Sequence, residues 1–115
     1  MEKTSPKVLI IVLNYVTYDM TLDMINALKK TLDYDNYSVM VIDNCSPNES
    51  AIVLKEYSEK VGYIFYANKI NSGYAAGNNI GLRYAIEHGY KYSWIFPTNL
   101  VSFSNSIILL IEAST

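Results

Sequence analysis

Continuous apolar runs alternate along this chain with segments in which apolar residues recur every three or four positions. The runs at residues 8–13, 39–42, 63–67 and 92–96 predict four strands, and the first two are apolar enough to be covered on both faces. Helical periodicity predicts helices over residues 18–32 and 74–88. An apolar segment that follows Ser104 as a capping residue predicts a last helix over residues 104–115.

Local residues also indicate where one helix begins and another ends. Ser46 and Glu49 form a capping-box pattern with Pro47 at the first helical position, which predicts a further helix from there to about Lys60. Gly89 is placed to end the helix over residues 74–88.

Strands that alternate with helices of this length form right-handed βαβ units. We therefore predict an α/β fold with a mainly parallel sheet and helices on both faces. One domain would span residues 1–115. In such sheets ligands bind in the crevice beyond the carboxyl ends of the strands.

Composition and charge exclude several classes of function. Half of the 115 residues are hydrophobic, the formal net charge is −2, and no cluster of Lys and Arg suggests nucleic-acid binding. The single cysteine, Cys45, excludes an internal disulfide and fits a reducing compartment. Because no apolar run approaches about 18 residues, we expect a cytoplasmic chain with no transmembrane segment.

Polar residues follow every predicted strand. They are Asn14-Tyr15, Asp43-Asn44, residues 68–72 and Thr98-Asn99. In the loop at residues 71–79, two glycines would let the backbone approach a ligand, and the helix that follows offers free N–H groups to a phosphate. Asn, Asp and Ser are common in any turn, so each site alone has a structural explanation. The four together favour a binding crevice.

In these segments the chain resembles the amino-terminal, donor-binding half of family-2 glycosyltransferases. That family has the A-type (GT-A) fold, in which a Rossmann-like half binds the nucleotide sugar. The resemblance rests on residues 8–15, 41–46 and 71–81, and the last segment is very similar to the rhamnosyltransferase-like branch. It extends over about residues 7–111.

The resemblance implies transfer of a sugar from a UDP- or dTDP-sugar donor to a hydroxyl of a saccharide acceptor, as in polysaccharide biosynthesis. The base and ribose would contact Asn14 and Tyr15, while Asp43 would accept a hydrogen bond from the imide of uracil or thymine. The other residues implied in nucleotide-sugar binding are Asn44, Asn71, Gly73, Gly77 and Asn78. A dipole interaction with the following helix would also explain Asp43.

Two departures from the family pattern change what we expect. Asn99 stands where the family has an Asp that holds Mn²⁺ or Mg²⁺, and an amide is a weaker ligand for such ions than a carboxylate. The family's later half supplies the acceptor site and the catalytic base, and here only Glu112 follows Asn99 as a carboxylate. We therefore expect a donor-binding portion that is truncated at its carboxyl end, inactive alone, and without an identified base.

Position 99 and the residues after the first strand also bear on three other functions. A catalytically degenerate binding or interaction module would explain Asn99, and a homo-oligomer would cover the exposed sheet edge and the apolar last helix. A dinucleotide-dependent oxidoreductase needs a glycine fingerprint after the first strand, where this chain has Asn14-Tyr15. The same two residues disfavour a phosphoacceptor receiver domain, which needs acidic residues there to hold Mg²⁺.

Overall fold

The computed structural model describes residues 6–71, 73–96 and 109–112. Its elements in chain order are β1 (Val8–Asn14), α1 (Tyr18–Thr31), β2 (Tyr37–Asp43), α2 (Ser50–Tyr57), β3 (Ile64–Ala67), α3 (Tyr74–Glu87), β4 (Tyr92–Phe96) and β5 (Leu109–Glu112). A π-helical turn, Ser58–Gly62, continues α2. The four strands and the two periodic helices predicted from the sequence are confirmed within one or two residues.

The strands form one sheet in the order β3-β2-β1-β4-β5. The first four strands are mutually parallel, and β5 pairs with β4 in the antiparallel direction. This confirms the predicted α/β fold with a mainly parallel sheet.

Helices cover both faces of the sheet, as predicted. Alternate residues of β1 point to opposite faces, and all seven are buried. On one face, Val8, Ile10 and Val12 belong to a core that α1 and α2 complete with Ile25, Leu28 and Leu54. On the other face, Leu9, Ile11 and Leu13 share a core with Ala85 of α3 and with Tyr90.

Two glycines let α3 lie unusually close to β1. A Cβ atom at Gly77 would come within 2.8 Å of Leu13, and one at Gly81 within 2.7 Å of Ile11. Gly77 and Gly81 are separated by four helical residues, a rise of about 6 Å, and Leu13 and Ile11 by two strand residues, a rise of about 6.6 Å. The two distances match, and the order of the contacts shows that α3 and β1 run in opposite directions. The packing therefore brings the amino terminus of α3 to the carboxyl end of β1.

The end of α3 also follows the sequence prediction. Gly89 has a φ of +77°, which a glycine adopts without strain. The Tyr90 N–H donates to the carbonyl of Ala85 at 2.9 Å, as in a Schellman motif. The chain then turns directly into β4.

The predicted last helix is wrong where the structure describes it. Residues 109–112 form β5, in which Leu110 pairs with Trp94 and Glu112 with Tyr92. A short apolar run has no periodicity that separates a buried helix from a strand, and here the open edge of β4 decides for the strand. Because residues 109–112 form a strand, they present no apolar helix for an oligomeric partner to cover. Ser104 lies outside the described residues.

The predicted capping box is also wrong. The helix begins at Ser50 rather than at Pro47, and Glu49 stands at its N-cap without a side-chain capping bond. The hydroxyl and the backbone N–H of Ser46 both donate to the carboxylate of Asp43 instead. The helix is α-helical only to Tyr57, because the next five residues form the π-helical turn.

None of the helices in the described part of the chain has the length and apolar character that crossing a bilayer requires.

Candidate functional site

The carboxyl ends of β1, β2 and β3 lie side by side at one edge of the sheet. Asn14 pairs with Asp43, and Asp43 pairs with Ala67. Pairing continues one residue beyond the strands, since the Asn44 N–H donates to the Asn14 carbonyl at 2.9 Å and the Asn68 N–H to the Asp43 carbonyl at 2.8 Å. The polar residues predicted to converge from these three strands therefore do so.

The carboxylate of Asp43 lies at the centre of this edge and is 1% exposed. Its Oδ1 accepts hydrogen bonds from Asn14 Nδ2 at 2.9 Å and from Ser46 Oγ at 2.7 Å, and its Oδ2 accepts one from the Ser46 N–H at 2.9 Å. Burial of a charge is costly unless such donors surround it. Because a carboxylate offers about four acceptor positions, Oδ2 has one that no described residue fills.

The side chain of Asn14 is turned into the protein and is fully buried. Its Nδ2 donates to Asp43, while its Oδ1 accepts from Thr21 Oγ1 at 2.6 Å and more weakly from Thr17 Oγ1 at 3.5 Å. These contacts occupy both ends of the amide. The next residue, Tyr15, is 44% exposed, so Tyr15 presents the more accessible side chain at the end of β1.

Asn44 joins the end of β2 to the loop before α3. Its Nδ2 donates to Asn71 Oδ1 at 3.1 Å and to the Gly73 carbonyl at 3.3 Å, and its Oδ1 accepts from Asn68 Nδ2 at 3.0 Å. Asn71 Oδ1 also accepts from the Gly73 N–H at 3.2 Å. Asn44 and Asn71 therefore shape the loop that leads into α3.

Helix α3 begins with an open amino terminus at the same edge. Gly73, its N-cap, has φ +94° and ψ 170°, a conformation that is accessible essentially to glycine alone, and no side chain caps the helix. The first helical bond runs from the Gly77 N–H to the Gly73 carbonyl at 3.0 Å. The N–H groups of residues 74–76 precede it and have no partner within the helix, so the positive end of the helix is available to an anion.

Gly77 and Asn78, the remaining residues predicted for the site, are both buried. The space above the Gly77 Cα is filled by Leu13, so the structure gives this glycine a packing role. Asn78 is 2% exposed, and neither Oδ1 nor Nδ2 has a hydrogen-bond partner among the described residues. Helical side chains lean toward the helix amino terminus, which directs Asn78 toward the open first turn of α3.

Sequence reasoning missed two contributors to this edge. Thr21 orients Asn14 through a hydrogen bond. The sequence indicated that Thr21 is buried, because it lies four residues before Ile25 and seven before Leu28 on the buried face of α1. Asn48 reaches the opposite loop, where its Nδ2 donates to the Val16 carbonyl at 3.1 Å. No sequence pattern marks that second contact.

Asn99, the predicted weak metal ligand, lies outside the described residues. Within the described ranges, no three His, Cys, Asp or Glu side chains are grouped so that they could hold a metal ion.

Known proteins share both the sequence pattern and the fold. The family model of glycosyl transferase family 2 matches residues 8–92. The chain is 34% identical over 76 residues to the minor teichoic acid biosynthesis protein GgaB of Bacillus subtilis strain 168. That match covers 65% of this chain and 8% of GgaB.

Two solved structures are similar in fold. The mannosyltransferase PcManGT from Pyrobaculum calidifontis, in complex with GDP-Man and Mn²⁺, has a TM-score of 0.70 and 18% identity, over 84% of this chain and 28% of that one. Residues 1–349 of S. aureus TarS, in complex with UDP-GlcNAc, have a TM-score of 0.67 and 22% identity, over 81% of this chain and 26% of that one. The chain thus spans less than a third of each of these relatives. Because the family model covers β1 to β3, the loop before α3 and α3 itself, this chain belongs to glycosyl transferase family 2.

Proposed function

We propose that this chain is the donor-binding portion of an enzyme that transfers a sugar from a UDP- or dTDP-sugar to a hydroxyl of a saccharide acceptor. The observation that carries the proposal is the carboxylate of Asp43, which is held at the carboxyl edge of the sheet with acceptor capacity left on Oδ2. An exposed tyrosine, Tyr15, and the open amino terminus of α3 lie at the same edge.

The three features suit three parts of a nucleoside diphosphate. The remaining acceptor position of Asp43 would receive the imide N–H of uracil or thymine. A cytosine would present a lone pair there and be repelled. Guanine presents two N–H donor groups on the corresponding edge, and Asp43 has one acceptor position left for them. The ring of Tyr15 offers a face on which a base stacks, and the first turn of α3 offers N–H groups to the diphosphate.

The relatives support a nucleotide sugar as the class of donor. The TarS structure contains UDP-GlcNAc, and the PcManGT structure contains GDP-Man. GgaB is named for the biosynthesis of a minor teichoic acid, which supports a role in polysaccharide biosynthesis. The saccharide acceptor is part of our proposal. We assign donor binding to this chain, and we propose that transfer requires a further part that supplies the acceptor site and the base.

The described residues do not fit a divalent metal ion. Among residues 6–71, 73–96 and 109–112, no three His, Cys, Asp or Glu side chains lie together so that they could hold such an ion. PcManGT binds Mn²⁺ together with its donor. In this chain Asn99 would offer a neutral carbonyl where the family has a carboxylate, so no step of the proposed function depends on a metal.

Calorimetric titration of the chain with UDP, dTDP and CDP tests the proposal. We expect UDP and dTDP to bind and CDP to bind at least about tenfold more weakly, because one charge-assisted hydrogen bond separates them. Asp43→Asn should weaken UDP binding by a similar factor. The exposed Asp19 of α1 provides the control, Asp19→Asn, which should leave binding unchanged.

Two results would contradict the proposal. Equal affinity for UDP and CDP would remove the role of Asp43 in base recognition. If none of the three nucleotides binds, the alternative is favoured, a degenerate interaction module. Circular dichroism and urea unfolding of each variant separate loss of binding from loss of the fold.

A further inference from the structure

The loop after β1 contains a valine in a strained conformation. Val16 has a φ of +57°, in the left-handed region. For a β-branched residue this conformation is a genuine outlier, and such strain persists only where surrounding contacts hold it. Val16 is 39% exposed, so its side chain is not enclosed in the core.

Two side chains of the loop after β2 hold the backbone of Val16. Its N–H donates to Ser46 Oγ at 2.8 Å, and its carbonyl accepts from Asn48 Nδ2 at 3.1 Å. Both polar groups of a single exposed residue are therefore fixed by the neighbouring loop. Since Tyr15 immediately precedes Val16, these bonds also set the direction in which the chain leaves β1 and presents the ring of Tyr15.

Ser46 connects this loop to the carboxylate of Asp43. A hydroxyl carries one proton, a backbone N–H only donates and a carboxylate only accepts. The proton of Ser46 must therefore point to Asp43 Oδ1, at 2.7 Å, while a lone pair of Ser46 Oγ receives the Val16 N–H. The direction of both hydrogen bonds is fixed by chemistry, and the backbone N–H of Ser46 adds a third contact to Asp43 Oδ2 at 2.9 Å.

We infer that Ser46 is a positioning residue for the nucleoside-diphosphate donor: it couples the Asp43 carboxylate to the strained Val16, so that Asp43 and Tyr15 form one rigid base-binding unit. The inference rests on the proposed function for its ligand. It assigns to Ser46 no contact with the nucleotide, and its effect is transmitted through Asp43 and Val16.

Relief of the strain at Val16 tests whether Ser46 acts on UDP binding through that residue. A serine with a merely structural role would not show this dependence. Ser46→Ala removes the hydroxyl and should weaken UDP binding about tenfold. Ser46→Thr keeps the hydroxyl and should restore most of the affinity. Glycine adopts a positive φ without strain, so in a Val16→Gly background only the loss of the bond to Asp43 remains, and Ser46→Ala should weaken UDP binding by a clearly smaller factor than in the parent.

The same four proteins (parent, Ser46→Ala, Val16→Gly and the double variant) give a second readout without ligand. Their free energies of unfolding in urea should be non-additive, with Ser46→Ala less harmful in the Val16→Gly background. Additive energies would overturn the coupling, whether or not a nucleotide binds.

Measurement of UDP binding distinguishes failure of the positioning role from failure of the proposed function. If the parent binds UDP and Ser46→Ala binds it equally well, the positioning role is overturned while the proposed function stands. If the parent binds no UDP, the proposed function fails, and the unfolding energies alone then decide whether Ser46 holds Val16.

Discussion

Ile11 leaves no room for a side chain at Gly81: a Cβ atom there would lie 2.7 to 2.9 Å from Cδ1, Cγ1 and Cγ2 of Ile11. The two γ atoms are bonded directly to the Cβ of a stiff, β-branched residue in the middle of β1, and they cannot rotate away together. Gly77 makes the equivalent approach to the two δ carbons of Leu13, at 2.8 and 3.1 Å, and these are the far end of a flexible side chain.

Gly81→Ala should therefore destabilise the fold, although Gly77→Ala should not. Alanine gains about 1 kcal/mol over glycine in a helix interior at both positions. Overpacking against Ile11 costs about 1–3 kcal/mol, which exceeds that gain, whereas Leu13 can move aside. Urea unfolding should show Gly81→Ala to be the less stable by at least about 1 kcal/mol. Equal free energies for the two variants would show that the flexibility of the strand side chain does not decide the outcome.

Alkaline pH should destabilise the protein through Tyr63. Its side chain is buried, its hydroxyl donates to the Leu54 carbonyl, and burial raises the pKa of Tyr63 from 10.0 to about 12. The unfolded chain loses this proton near pH 10.0 and the folded chain keeps it to about pH 12. The contribution to stability is therefore complete below pH 10 and is lost as the pH rises toward 12.

Tyr63→Phe isolates this contribution. The variant should be less stable by about 1 kcal/mol at neutral pH, because a hydrogen bond is lost. Its stability should then fall less steeply than that of the parent between pH 10 and 12. The exposed Tyr66 provides the control, since Tyr66→Phe should follow the parent. Parallel loss of stability in the parent and in Tyr63→Phe would show that other groups cause the alkaline transition.

The centre of the sheet was predictable from the sequence because β1 and β2 are largely buried and rich in β-branched residues. The unbroken apolar run that became β1 is rich in Val and Ile, which favours a strand over a helix, and a strand that is apolar on both sides is covered by helices on both faces. Residues 109–112 carry a similar apolar run, but their own sequence does not determine which element of the fold they pack against. Their state depends on the open edge of β4, which is a property of the assembled sheet.

The site was predictable as a location and less so as a set of contacts. The parallel order of the strands brings Asn14, Asp43 and Asn44 to one edge, and the sequence shows this directly. Whether a polar side chain faces the crevice or the interior depends on its partners in space. Asn14 turns inward because Thr21, seven residues later, donates to it. Ser46 serves Asp43 rather than a helix end for the same kind of reason.

Asn78 should lower the free energy of unfolding and strengthen donor binding. Its buried amide has no partner among the described residues, and an unpaired buried polar group costs about 1–3 kcal/mol. Asn78→Leu should therefore raise the free energy of unfolding. Because Asn78 leans toward the open end of α3, the same change should weaken binding of a UDP-sugar.

The matched control for Asn78 is Ser93 of β4. Its hydroxyl is also buried and has no partner in the described part of the chain. Ser93→Ala should stabilise the protein and leave UDP-sugar affinity unchanged. If Asn78→Leu raises stability with no loss of affinity, Asn78 has no part in the donor site.

Asn99→Asp should restore a dependence on metal. We expect Mn²⁺ to change the affinity of the parent chain for UDP little, because a neutral amide holds a divalent ion weakly. With a carboxylate at position 99, Mn²⁺ should strengthen UDP binding about fivefold or more, and by linkage UDP should strengthen Mn²⁺ binding equally. Calorimetric titrations in both orders measure the two effects. Asn105→Asp adds the same charge elsewhere in that part of the sequence and should show neither effect. If Mn²⁺ strengthens UDP binding by the parent as much as by Asn99→Asp, then Asn99 already serves the metal, and the exchange of Asp for Asn has not removed it.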